Sequence, residues 1–210
     1  MLANKTARYA MFGMLYFVQG AILSYFTALN ALYLLSFNLS MGQIGLMGAI
    51  AMIPFVIKIF LGMLSDRVNL GGWGHRKPYI VIGLLVQSVC LFIVPFIHPG
   101  KYFWLFALAA FTLMLGMALY DTATDGLALD TTPFEEQGTI QGFMVGGRAL
   151  GVVVISAVIG TLVQSTSWQT TFWVLGIVTL LPLILVFQVK EAQRPASREF
   201  EWKAFGAMLK

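Results

Sequence analysis

The stretch Met41-Gly-Gln-Ile-Gly-Leu-Met-Gly-Ala-Ile-Ala-Met-Ile-Pro54-Phe-Val-Ile-Lys58-Ile-Phe-Leu-Gly62-Met-Leu-Ser-Asp66-Arg67 has one consistent reading, a membrane-crossing helix. Between Met41 and Leu64 only Gln43 and Lys58 are polar, and about 20 apolar residues suffice to cross the hydrocarbon core. Ser40 and Gln43 have the spacing of a capping box, which predicts where the helix starts. Pro54 removes a backbone donor one turn before Lys58 and predicts a bend there. Five more stretches have the same character, so the spans are 9–35, 41–64, 78–96, 102–129, 139–163 and 171–189. His98-Pro-Gly100 separates the third from the fourth. The expected fold is all-α, a bundle over 1–189 followed by a polar stretch, 190–210.

Composition agrees. Charged residues are only 10% of the chain, against about 25% in soluble domains. Lipid must therefore cover much of the surface. The single cysteine, Cys90, excludes an internal disulfide and is read as packing. No metal spacing, nucleotide loop or nucleophile elbow is found, so neither cofactor nor enzymatic chemistry is expected. The apolar run after Lys5 and Arg8 is too long for a signal-peptide core, and no small-residue cleavage site follows, which predicts an uncleaved first span.

The net charge of +4 does not mark a nucleic-acid site, because the basic residues flank the spans instead of forming a patch. Lys5, Arg8, Arg67, Arg76, Lys77, Lys190, Arg194, Arg198, Lys203 and Lys210 fall on one side, and Lys101 alone on the other. By the positive-inside rule both termini are cytoplasmic, in a plasma (inner) membrane. Asp66, Asp130, Glu135, Glu136, Glu191, Glu199 and Glu201 share the basic side.

Four ionisable residues lie within the spans: Lys58, Asp121, Asp125 and Arg148. Such residues are costly in lipid and usually mark function. Counted at about 1.5 Å per residue, Lys58, Asp121 and Arg148 lie roughly 10–13 Å from the inner ends of their spans, with Asp125 nearer the surface. One layer therefore holds two cations and two acids, and the acids share a helix face. Two readings are open: a proton-and-substrate site, or an ion-pair network pinning spans 2, 4 and 5. Asp121, the deeper acid, is expected to carry the proton, and Asp125 to hold a basic partner. Span 1 carries a polar stripe, Tyr16, Gly20, Ser24, Thr27 and Asn30, with Gln19 beside it, read as cavity lining. Gly142, Gly146, Gly147 and Gly151 in span 5 read as close helix packing. Glu135 and Glu136 read as favourable to the helix dipole of span 5.

The connection after span 2 adds a resemblance. Gly62, Asp66-Arg67, and the later Arg76-Lys77 resemble the signature loop of the major facilitator superfamily, with Asn69 to Trp73 as an insertion. Pro54-Phe-Val-Ile-Lys58, Asp121-Thr-Ala-Thr-Asp125-Gly-Leu-Ala-Leu-Asp130 and Gly146-Gly-Arg148-Ala-Leu-Gly151 are similar to the branch holding muropeptide permeases, acetyl-CoA transporters and folate–biopterin transporters. Gly72-Trp-Gly-His-Arg-Lys-Pro-Tyr79-Ile80 also resembles light-harvesting assembly and pigment-delivery proteins, the alternative reading. The resemblance implies two inverted three-helix repeats, forming the N-terminal half of a twelve-helix fold. Spans 1 and 4 would line a cavity. The second half would come from the same gene downstream, a split subunit or another copy, and 190–210 would be the linker and the start of a seventh span. The implied function is secondary active transport, proton-coupled, of a sizeable polar or anionic small molecule by alternating access. Lys58, Asp121, Asp125, Arg148, Gln19 and Asn30 are the expected substrate and proton residues.

Overall fold

The computed structural model of the chain describes residues 5–189 and residue 191. The expected linker and seventh span, with Lys190, Arg194, Arg198, Lys203, Lys210, Glu199 and Glu201, lie outside the described residues. Among the described residues six helical stretches are long and apolar enough to cross a membrane: Lys5–Thr27, Met41–Arg67, Lys77–Phe96, Phe103–Thr131, Phe134–Thr161 and Trp168–Val186. They are spans 1 to 6 below.

Local sequence explains how the spans begin and break. At the start of span 2 the Ser40 hydroxyl accepts from the Gln43 amide at 3.3 Å, and the Gln43 side chain accepts from the Ser40 amide at 2.9 Å. That box satisfies donors a helix start leaves free. Span 2 is bent, as Pro54 predicts. The helix Met41–Val56 stops, Ile57 leaves helical geometry, and a second helix runs Lys58–Arg67. Span 1 is already helical at Lys5, earlier than residue 9, and Arg8 is buried within it. A π-helical turn, Tyr25–Leu29, interrupts span 1 before the helix Asn30–Leu35. Pro182 similarly breaks span 6 into the helix Trp168–Leu180 and a short last turn, Leu183–Val186.

Span 1 packs along span 5, span 2 along span 4, and span 3 against both span 4 and span 6. Spans 1 and 4 also touch, as do spans 1 and 6. Exchanging spans 1, 2, 3 for spans 4, 5, 6 maps the 1–5 pair onto 4–2 and the 3–4 pair onto 6–1. It leaves the 1–4 and 3–6 pairs in place. This is the pairing two related three-helix repeats require. Small residues set the closest approaches. Gly147 sits on the Gly13 backbone, Gly151 on the Phe17 carbonyl, and Gly20 on the Arg148 carbonyl, while Gly83 meets Gly116 between spans 3 and 4. The core carries Phe12, Leu15, Ile22, Leu84, Leu91 and Phe172, all fully buried. The packing expected of all four span 5 glycines is divided between two surfaces. Gly142 and Gly146 meet nothing; they line an apolar groove of about 690 Å³ with Gly13, Phe17 and Phe143.

Spans 2 and 5, partners under the exchange, are the least buried of the six. Val56, Ile59 and Phe60 on span 2, and Val145, Leu150 and Val153 on span 5, lie open. The loops gather by end. Arg76, Asp66, Asp130 and Glu191 meet at one end. At the other, Phe37 stacks edge-on against His98 at 4.7 Å between ring centres, next to Lys101.

Candidate functional site

The restart of span 2 makes Lys58 the first residue of its second segment and turns it toward span 4. Lys58 Nζ lies 2.6 Å from Asp121 Oδ2 and 3.8 Å from Asp125 Oδ2. From span 1, Gln19 Nε2 donates to Asp121 Oδ1 and the Tyr16 hydroxyl donates to Asp125 Oδ1. Tyr16 and Gln19 are three apart and the acids four apart, so two adjacent rows on facing helices meet. Tyr16 stood in the polar stripe but not among the expected site residues; its spacing from Gln19 was the available signal.

This geometry corrects the expected division between the acids. Asp121, not Asp125, holds the close cation, and both Asp121 oxygens are occupied. The Asp121 side chain is 4% exposed and that of Asp125 40% exposed. Asp125 Oδ2 has only the more distant face of Lys58 within reach. The reason is azimuthal: the interruption at Ile57 rotates Lys58 toward the deeper acid, and depth along a helix does not record rotation.

The rest of the polar stripe disperses. Ser24 bonds Ser156 of span 5 at 2.7 Å, and Thr27 bonds its own backbone at Leu23. Asn30 is not in the charge layer. It is buried and accepts from the Tyr25 hydroxyl at 3.2 Å, next to a small apolar void bounded by Phe106 and Phe172. Arg148 also departs from the ion-pair reading. It is exposed on span 5 and makes no hydrogen bond or ion pair among the described residues. It nonetheless lies near enough to act electrostatically on Asp121, Lys58 and Tyr16.

A second constellation closes the end of the bundle where spans 2 and 3 connect. The buried guanidinium of Arg76 pairs with Asp66, reaches Asp130 at 3.4 Å and donates to Ser65 at 2.8 Å. Its backbone amide donates to Glu191 at 2.8 Å. Gly126 gives the guanidinium room, because a β-carbon there would strike it. Gly74 has φ of +116°, and a β-carbon there would strike the Glu191 carboxylate. Lys77 Nζ donates to the Phe187 carbonyl at 2.8 Å and the Val189 carbonyl at 3.1 Å, where a cation favours a helix end. A third cluster joins Glu136 to Lys5 at 2.9 Å, to Arg8, and to the Tyr9 hydroxyl at 3.0 Å. Sequence reading assigned Glu136 to the helix dipole alone.

The sequence profile described as Major Facilitator Superfamily matches residues 11–209. The chain belongs to this superfamily. Within it, the chain is 29% identical over 147 residues to "Probable folate-biopterin transporter 7" of Arabidopsis thaliana, covering 67% of this chain and 33% of that one. It is 26% identical over 156 residues to "Putative transporter AmpG 4" of Rickettsia conorii, covering 69% and 36%. It is 26% identical over 188 residues to the "Folate-biopterin transporter" of Synechocystis, covering 88% and 37%. The chain thus spans about a third of the length of the curated relatives it matches. These relatives belong to the branch that the Lys58, Asp121–Asp130 and Gly146–Gly151 stretches resemble. As a superfamily member, the chain is a multi-pass membrane protein of a transporter family. The connection between spans 2 and 3 brings Asp66 and Arg76 together although Asn69 to Trp73 intervene between them.

Proposed function

We propose that this chain is the N-terminal six-span half of a proton-coupled secondary transporter for a sizeable polar or anionic solute. The observation that carries the reading is the Lys58–Asp121–Asp125 cluster, held by Gln19 and Tyr16 within a superfamily bundle. Ionisable groups grouped inside spans mark solute and proton pathways more often than they mark packing. Lys58 stands 2.6 Å from Asp121 and 3.8 Å from Asp125, so a proton delivered to Asp121 would free Lys58 to close on Asp125. The relatives' names make pterins the first solutes to test. The half-open faces of spans 2 and 5 are the surfaces for a second six-span half, from the same gene, a split subunit or another copy.

The test is uptake of folate and biopterin by cells producing the complete transporter, with and without an imposed pH gradient. Asp121→Asn and Asp125→Asn are each expected to abolish the response to the gradient while membrane yield stays normal. Gradient-driven uptake unchanged in both variants would remove the acids from the mechanism.

Orientation follows from charge. The end holding Lys5, Arg8, Arg67, Arg76 and Lys77 is assigned to the cytoplasm of a plasma (inner) membrane. In intact cells a membrane-impermeant thiol reagent should label Gly100→Cys and leave Trp73→Cys, at an exposed position of the connection between spans 2 and 3, unlabelled, in a Cys90→Ala background. Labelling of Trp73→Cys would invert the topology.

A further inference from the structure

Arg148 stands about 16 Å along the helix Gln137–Ser165, deep in a membrane span. A charge at such a depth is costly and is found facing a bundle interior or a water-filled cavity. It has no ion pair or hydrogen bond among the described residues. Its backbone is fixed, because the Arg148 carbonyl lies on Gly20 of span 1. Span 5 therefore cannot roll to carry the guanidinium elsewhere. The neighbour of Gly20 is Gln19, which binds Asp121. Arg148 is thus anchored beside the charge layer, near enough to act on it electrostatically while making no hydrogen bond or ion pair with it.

The charges in the layer explain why it is left open. Lys58 compensates one of the two acids, and the remaining negative charge is balanced only at a distance by Arg148. Among the described residues no acid forms an ion pair with the guanidinium. The layer also holds an unfilled acceptor: Gln19 Oε1 is buried and has no hydrogen-bond partner. A donor-only guanidinium and a lone amide oxygen, on adjacent helices of the same layer, complement a ligand with an anionic oxygen pair and an N–H.

We propose that Arg148 is the anion-binding group of the solute site, taking a carboxylate or phosphate of the solute through two parallel N–H contacts, with Gln19 Oε1 accepting from a solute N–H. The proposal rests on the transporter reading above. Guanidinium is suited to the task because its planar fork matches both oxygens of such a group, whereas an ammonium offers a single point charge. Lys58 is already engaged by Asp121 at 2.6 Å. An entering anion therefore meets Arg148 first.

The test uses the detergent-purified complete transporter and equilibrium dialysis with two probes, folate, which carries a dicarboxylate tail, and biopterin, which carries none. Arg148→Gln is expected to weaken folate binding roughly tenfold or more and to leave biopterin within about twofold. Arg148→Lys should fall between wild type and Arg148→Gln for folate, and it replaces Arg148→Gln if that variant does not fold. Equal loss of both probes would mean that Arg148 only supports the fold, and loss of neither would mean that it binds no anion; either result overturns the proposal. If wild type binds neither probe, the pterin reading fails, and a second measurement decides this one. The melting temperature is then followed with citrate against chloride at matched ionic strength. Citrate stabilisation present in wild type and absent in Arg148→Gln supports the anion site. The same response in both proteins, or none in either, overturns it.

Discussion

Replacing Lys58 by alanine is expected to cost about 2–3 kcal/mol of stability, among the largest effects of any single change in the bundle. The substitution leaves the buried Asp121 carboxylate without its cation. Removing one partner of a buried pair costs roughly 3–5 kcal/mol. The Lys58 side chain is 35% exposed, so water screens part of the interaction and the lower end applies. Asp121→Asn should cost less, because Lys58 retains Asp125 at 3.8 Å as an alternative partner. The double variant Lys58→Ala with Asp121→Asn should regain more than half of the Lys58→Ala loss. The pairing of Lys58→Ala with Asp125→Asn should regain little. Melting of purified variants, arranged as two double-mutant cycles, checks this directly. Recovery that is larger with Asp125 would show that Lys58 holds the shallower acid.

A still larger loss is expected at the contact of spans 1 and 5. Gly147→Leu and Gly151→Leu should leave little folded protein, because the first new atom already collides with the backbone of span 1. Backbone cannot turn aside as a flexible side chain can, so the helices must separate along their length. Overpacking typically costs about 1–3 kcal/mol when neighbours can adjust, and here they cannot. Gly142→Leu and Gly146→Leu sit on the same helix and meet open space. They serve as matched controls and should fold normally. Folded yield by size-exclusion chromatography separates the two pairs. Comparable yield from all four variants would show that spans 1 and 5 are not in close contact.

The spans, their order and the sorting of charge between ends were legible in sequence because each depends on local composition. A membrane helix declares itself by length and apolarity, and Pro54 marks its own bend. Rotation about the helix axis is another matter. Lys58 was placed at the right depth, yet the restart at Ile57 decides which acid it meets. Asn30 fits the stripe of span 1 only if that helix stays regular. The π-helical turn Tyr25–Leu29 adds a residue, which rotates everything after it by about 100° and turns Asn30 out of the stripe, and Asn30 also lies about 16 Å along the axis beyond Gln19. Glu136 is a third case. Its partners Lys5 and Arg8 lie at the far end of the sequence, and no local pattern announces them. The split among the span 5 glycines has the same cause: spacing shows that helices come close, not which of two neighbouring rows does so.

The five residues Asn69 to Trp73 leave Arg76 where it closes on Asp66, Asp130 and Ser65. The chain makes a detour and returns to the same lock. A flexible loop that doubles in length costs only about 0.6 kcal/mol more to close, less than one good hydrogen bond to a charged group. Drift in the length of this connection is therefore nearly invisible to natural selection, while drift at its last position is not. Among relatives of this chain, the cost of change should fall on where the loop lands rather than on the route it takes.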